Sequence, residues 1–199
     1  MNGKTHAGIG LAAFVALSNK LPGGFSYLGM GVVVIASLFP DIDHPKSIIN
    51  KYILPFKNKG AKITLYICSG IIVLYFDYVY TNQPAYKALG VALISIGISS
   101  HRNGLTHSLL GMITFSFIIS YISNKYSLKN ITYYFIIGYS LHLICDMSTN
   151  RGVPLFYPFK NKKIKFPVTY RVGSKFGNFI ELILVIAGLI YIIYRLPGI

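Results

Sequence analysis

Ile131-Thr-Tyr-Tyr-Phe-Ile-Ile-Gly-Tyr-Ser-Leu-His142-Leu-Ile-Cys-Asp146 decides how this chain is read. An apolar, aromatic run starts at Ile131 and closes on a histidine and an aspartate four residues apart. That spacing sets both side chains on one helical face, one turn apart. Ionisable groups are costly at membrane depth unless they bind something. His and Asp so placed suit Zn²⁺ or another divalent ion. The competing reading is an interhelical hydrogen bond.

Outward from this stretch, six more apolar segments emerge. The seven run roughly over 6–19, 25–40, 62–80, 85–100, 107–123, 131–149 and 179–196. The chain is 53% hydrophobic and only 12% charged, with mean hydropathy +0.55. A soluble domain carries about twice that charged fraction. The expected fold is therefore all-α: a polytopic helical membrane protein in one domain, residues 1–199. The apolar stretch Ile9–Leu17 resembles a signal-peptide core, but is read as retained, since removal would discard His6. Cys68 and Cys145 have no CxxC partner, so no disulfide framework or zinc knuckle is implied.

The chain has only five acidic residues, Asp41, Asp43, Asp77, Asp146 and Glu181, and five histidines, His6, His44, His101, His107 and His142. Followed through seven crossings, all of these except Asp77 fall on one membrane face. The cations agree. Nineteen Lys and Arg give a net charge of +14, and most lie in loops on that same face. The positive-inside rule puts the N-terminus and this face in the cytoplasm and the C-terminus outside. Such basic loops fit anionic lipid headgroups. No nucleic-acid-binding motif accompanies the charge.

Three local motifs carry chemistry. In Pro40-Asp41-Ile42-Asp43-His44-Pro45, Pro45 restricts His44 to extended backbone, so the helix ends at or before it and oxygen and nitrogen donors converge. His142 and Asp146 are the second. In His101-Arg102-Asn103-Gly104-Leu105-Thr106-His107-Ser108, Gly104 permits a tight turn, and Thr106 or Ser108 can cap the next helix. Arg102 is a natural phosphate anchor, with Arg151 and Lys160 as further candidates. Thr5-His6-x-x-x-Gly10 and Thr106-His107-x-x-x-Gly111 echo one another, which suggests a duplicated helical hairpin. Glu181 reads as a ligand or general base, or else as a helix-dipole partner.

In this order the motifs resemble the YdjM-type family of bacterial inner-membrane proteins described as metal-dependent hydrolases. The matching stretches are Pro40–Ser47, His101–Leu110, Gly138–Asp146 and Gly152–Pro158, with Glu181 beyond them. Residues 63–100 read as an added helical hairpin that restores sidedness. The resemblance implies a ligand set drawn from His6, Asp41, Asp43, His44, His101, His107, His142, Asp146 and Glu181.

The expected function is hydrolysis of a phosphoester in a membrane lipid or lipid-linked substrate at the cytoplasmic interface of the inner membrane. One or two divalent ions, Zn²⁺ or Mn²⁺, would serve it. Asp43, Glu181 and Arg102 are the expected catalytic residues. Two rivals stand beside this reading: a divalent-metal transporter or channel, and a non-enzymatic membrane protein whose polar cluster ties helices together.

Overall fold

The structure, a computed structural model, describes residues 1–99 and 104–196. Eight α-helices form among them: α1 Gly3–Leu17, α2 Tyr27–Leu38, α3 Ile48–Ile53, α4 Lys59–Phe76, α5 Pro84–Ile98, α6 Leu109–Lys125, α7 Ile131–Met147 and α8 Lys175–Arg195. No strand forms among the described residues, only two isolated β-bridges in the connection before α8. Seven of the helices fall on the seven apolar segments. The eighth, α3, is a short helix that the apolar pattern does not announce.

The chain itself supplies the helix starts. Ser26, Ser47, Asn58, Ser108 and Ser174 each accept a hydrogen bond from a backbone N–H in the first turn of the helix that follows. Pro84 opens α5, where its missing N–H costs nothing. The 3₁₀ turns Phe39–Asp43 and Leu105–His107 lie between α2 and α3 and before α6. His44 is extended, as Pro45 requires.

Helix lengths do not confirm the count of seven crossings. A 30 Å hydrocarbon core needs about 20 residues of helix. Among the described residues, only Lys59–Thr81 (23 residues, α4 continued by the π-helical turn Asp77–Thr81) and Lys175–Arg195 (21 residues) are long and apolar enough. The other five long helices have 12 to 17 residues, about 18–26 Å at 1.5 Å per residue. Polar turns cut these helices short at the end where histidines and aspartates gather. Each candidate span has only 17% of its apolar window buried inside the protein. Ile72, Tyr75, Ile190 and Ile193 stand outward. An apolar exterior is the pattern expected against lipid.

The helices pack as a row, α8 on α1, α1 on α2, α2 on α7, α7 on α6, α6 on α5 and α5 on α4, folded at its centre so that α1 also packs on α7. Phe39, Phe115, Phe135 and Tyr139 form an aromatic core in its middle. The hairpin α4–α5 closes through small residues: a Cβ on Gly70 would stand 2.7 Å from the Gly90 carbonyl oxygen. The central crossing of α2 and α7 is as close. A Cβ on Gly138 would meet Val33 O at 2.5 Å and Ser37 N at 3.1 Å, both backbone. Gly138→Val is therefore expected to push α2 off α7, at a cost of about 3 kcal/mol. Thermal unfolding in detergent measures this; an unchanged midpoint would mean that the crossing is looser than described.

Candidate metal centre

One end of the row brings together the start of α1, the turn after α2, the turn before α6 and the end of α7. Each element delivers one or two polar side chains for a local reason. His6 sits in the first turns of α1, and Asp41 rides the 3₁₀ turn that follows α2. His107 ends the turn that Ser108 closes, and His142 and Asp146 share one face of α7. Asp43, His6, His107, His142 and Asp146 are buried, and Asp41 is partly so.

The donor atoms converge. His107 Nε2 and His142 Nε2 are 3.4 Å apart. Asp41 Oδ1 lies 3.6 Å from the first and 3.8 Å from the second. Asp146 Oδ2 lies 3.6 Å from each. Atoms held about 2.0–2.2 Å from a shared ion in a tetrahedral arrangement stand about 3.3–3.6 Å apart. Two overlapping triads qualify as metal-holding groups: Asp41, His107 and His142, and His6, His142 and Asp146.

Surrounding groups fix which nitrogens are offered. His142 Nδ1 is 2.7 Å from the Ser37 carbonyl oxygen. A carbonyl only accepts, so Nδ1 carries the proton and Nε2 presents its lone pair. The close α2–α7 crossing at Gly138 makes this contact. Asp43 Oδ2 lies 3.3 Å from His107 Nδ1 and accepts from Thr106 Oγ1 at 2.9 Å. A carboxylate behind a ligating histidine orients the ring and raises its basicity. The buried His6 ring stacks on His142 with centroids 3.8 Å apart. Neither of its nitrogens has a hydrogen-bond partner among the described residues, although Nε2 approaches Asp146 Oδ1 to 3.3 Å. A buried imidazole is rarely left so; a cation would satisfy it. The residues present fit a divalent ion.

The electrostatics point the same way. Burial opposes protonation of His107, yet the carboxylates of Asp43 and Asp41 outweigh it and raise its pKa to about 9. Burial opposes ionisation of Asp41, but its hydrogen bond to His107 and the nearby histidine charges hold it well below the usual carboxylate range. The carboxylates around His107 therefore favour a positive charge at its ring, either a proton or a metal cation that displaces it.

Not every expected residue joins the cluster. Asp43 contacts the Nδ1 side of His107, not the Nε2 side that faces the other donors. Glu181 Oε2 accepts from Asn2 N at 3.0 Å and Thr5 Oγ1 at 2.9 Å, and Tyr170 OH lies 3.4 Å from Oε1. It caps the N-terminus of α1 from α8, a dipole partner. His44 is partly exposed, and its Nδ1 accepts from Lys46 N. Arg151 and Lys160 are exposed on the connection before α8. His101 and Arg102 lie outside the described residues. Asp77 accepts from Thr81 Oγ1 and Gln83 N and closes the α4–α5 turn at the opposite end.

The two Thr-His pairs do mirror each other. Thr5 donates to Glu181 and Thr106 to Asp43, both at 2.9 Å. His6 approaches one oxygen of Asp146, and His107 the other. The Met1 amino group also hydrogen-bonds to Asp146 Oδ1.

Two groups were missed from the sequence. Lys62 reads as a loop cation but is 2% exposed. Its Nζ donates to the carbonyl oxygens of Asp43 (3.2 Å), Ile96 (2.9 Å) and Ser99 (2.6 Å), tying the hairpin to the turn that carries the aspartates. Its place inside the first turn of an apolar helix was the available signal. Lys46 lines a cavity of about 310 Å³ together with Asp41, His44, Asn178 and Glu181. That cavity opens beside the cluster.

The model of the family described as YdjM inner membrane protein matches residues 1–197 of this chain. No curated protein and no solved structure matches it significantly.

Proposed function

Because the chain belongs to the YdjM inner membrane protein family, we propose that its buried His/Asp cluster serves a membrane-bound, metal-dependent hydrolase. The observation that supports this most is the convergence of His107 Nε2, His142 Nε2, Asp41 Oδ1 and Asp146 Oδ2 at 3.4–3.8 Å beside an open cavity. Two imidazoles with two carboxylates suit Zn²⁺, with Mn²⁺ the alternative. His142 has a single lone pair to give, since its Nδ1 is committed to Ser37. The two triads therefore share one ion rather than hold two through this residue.

A divalent ion at such a site supplies Lewis acidity, polarising a phosphoryl oxygen and making water a stronger acid. The chain does the rest. Asp43 and the Ser37 carbonyl hold the two imidazoles in one tautomer and orientation. The buried walls keep bulk water from the donors, which strengthens every charge interaction there. Lys46 at the cavity wall is the cation best placed for a substrate phosphate, ahead of the exposed Arg151 and Lys160. The substrate is a phosphoester of a lipid or lipid-linked molecule, since an apolar exterior gives access from the leaflet. The chain is multi-pass in this reading, with the cluster and the N-terminus on the cytoplasmic side. Its loop cations favour that side even with Lys62 taken out of the count.

A transporter would carry its ligands near the bilayer midplane, whereas this cluster lies at the end of the helices. The test uses purified, metal-loaded protein with bacterial lipid extract, read by mass spectrometry. The expected result is release of a head group or of phosphate, stopped by EDTA and restored by added metal. A metal-replete protein that cleaves nothing in a broad lipid panel refutes the hydrolase reading. Metal flux into liposomes would then favour the transporter.

A further inference from the structure

The connection between α7 and α8, residues 148–174, is an ordered cap over the site end of the bundle. Val153 and Ile164 exchange backbone hydrogen bonds of 3.0 and 2.8 Å, and Phe166 N donates to Met147 O at 2.9 Å. Asn150 N donates to Tyr170 O at 3.0 Å, and Leu109 N to Leu155 O at 2.9 Å. Val153 is fully buried, and the Tyr170 hydroxyl reaches toward Glu181. Burial and the Glu181 charge hold the Tyr170 phenol above its usual pKa, so it stays a neutral donor. A segment pinned at so many points has no need to leave large apolar side chains in water. It nevertheless leaves Phe159 84% and Val168 87% exposed, and Phe176, just beyond it in α8, 69% exposed.

The charged residues around them in sequence are all basic. Arg151, Lys160, Lys162, Lys163, Lys165, Arg171 and Lys175 fall between Met147 and Ile180, and no acidic residue does. The apolar residues flank the cap on two sides. Phe159 follows Tyr157 and Pro158, which line a cavity against α5 and α6. Val168 and Phe176 line one of about 450 Å³ against α1 and α8. A second element at the same end repeats the composition. Tyr52 and Phe56, after the turn that Asn50 pins through Ile42 O and His44 O, are 79% and 69% exposed among Lys51, Lys57 and Lys59.

We propose that the 148–174 cap lies in the headgroup layer of an anionic bilayer, with Phe159, Val168 and Phe176 entering the acyl boundary and the cap lysines meeting lipid phosphates. Aromatic and aliphatic side chains set among lysines are the signature of an interfacial segment. A protein-binding surface would show the reverse, since interface cores are depleted in lysine. The cap thereby presents anionic lipid to the cavity beside the cluster. This placement is independent of whether that lipid is cleaved.

The chain has no tryptophan, so one substitution gives a clean optical probe. Full-length F159W and, separately, V168W are placed in nanodiscs of phosphatidylglycerol and phosphatidylcholine whose acyl chains are brominated near the headgroup. Ile190→Trp, on the outward face of α8, reports that the protein is inserted. The expected result is blue-shifted emission with about half or more of it quenched at both cap positions, falling when phosphatidylglycerol is omitted. Unquenched emission at both positions, with Ile190→Trp quenched, overturns the proposal, as does a blue shift without quenching, the mark of a protein partner. Equal quenching in phosphatidylcholine alone overturns the anionic assignment. None of these readouts depends on bound metal or turnover, so failure of the cap proposal and failure of the hydrolase reading are distinguishable.

Discussion

His142→Ala is expected to abolish divalent-ion binding at the proposed site. His142 Nε2 belongs to both candidate triads, so its loss removes a donor from each at once. Outer-shell partners of metal ligands cost about 10–100-fold in affinity when removed, and a ligand itself costs more. The expectation is a fall beyond about 100-fold for His142→Ala and of about 10–100-fold for Asp43→Asn, which leaves the donors in place but weakens the hold on His107. His44→Ala, at a partly exposed ring outside both triads, is expected to keep its ion. Elemental analysis of detergent-purified protein, with titration of the stripped protein, measures all three. Full metal content in a folded His142→Ala protein would show that the ion binds elsewhere.

Lys62→Met is expected to loosen both the fold and the site. Methionine keeps the apolar stem and loses three donors to the carbonyls of Asp43, Ile96 and Ser99. A hydrogen bond from a charged group contributes about 1.5–3 kcal/mol. Relief from burying an ammonium offsets part of the three, leaving a net loss of about 3 kcal/mol. The unfolding midpoint in detergent should drop, and metal affinity should fall with it, because the turn bearing Asp41 and Asp43 loses its anchor to α4 and α5. Lys62→Arg should recover part of both. A Lys62→Met protein as stable as wild type would mean that water replaces the ammonium at these carbonyls.

Lys62 also marks where reading by residue type stops. A lysine near the start of an apolar segment is ordinarily a loop cation. Only the meeting of α4 and α5 with the Phe39–Asp43 turn puts three carbonyl oxygens around it. Glu181 is the opposite case. As the lone glutamate it looked chemical, yet its Oε2 accepts from Asn2 and Thr5 while its Oε1 faces Tyr170. The start of α1 comes beside it only because α1 packs on α8, a contact between residues more than 170 positions apart. Asp43 was legible as part of the site. Its side of His107 was not, since the ring's orientation depends on the turn that Ser108 closes and on Thr106.

The sequence by itself determined that the chain is helical and apolar outside, where its helices fall, and that histidines and aspartates collect at segment ends. These follow from local rules: apolar runs, capping Ser and Asn, Pro45 after His44, and the one-turn spacing of His142 and Asp146. Tertiary structure alone decided which nitrogen each histidine offers and which carboxylates face them. These depend on distances across the bundle. The close passage of Gly138 against Val33 and Ser37 puts a carbonyl behind His142, and nothing local to either helix specifies that contact.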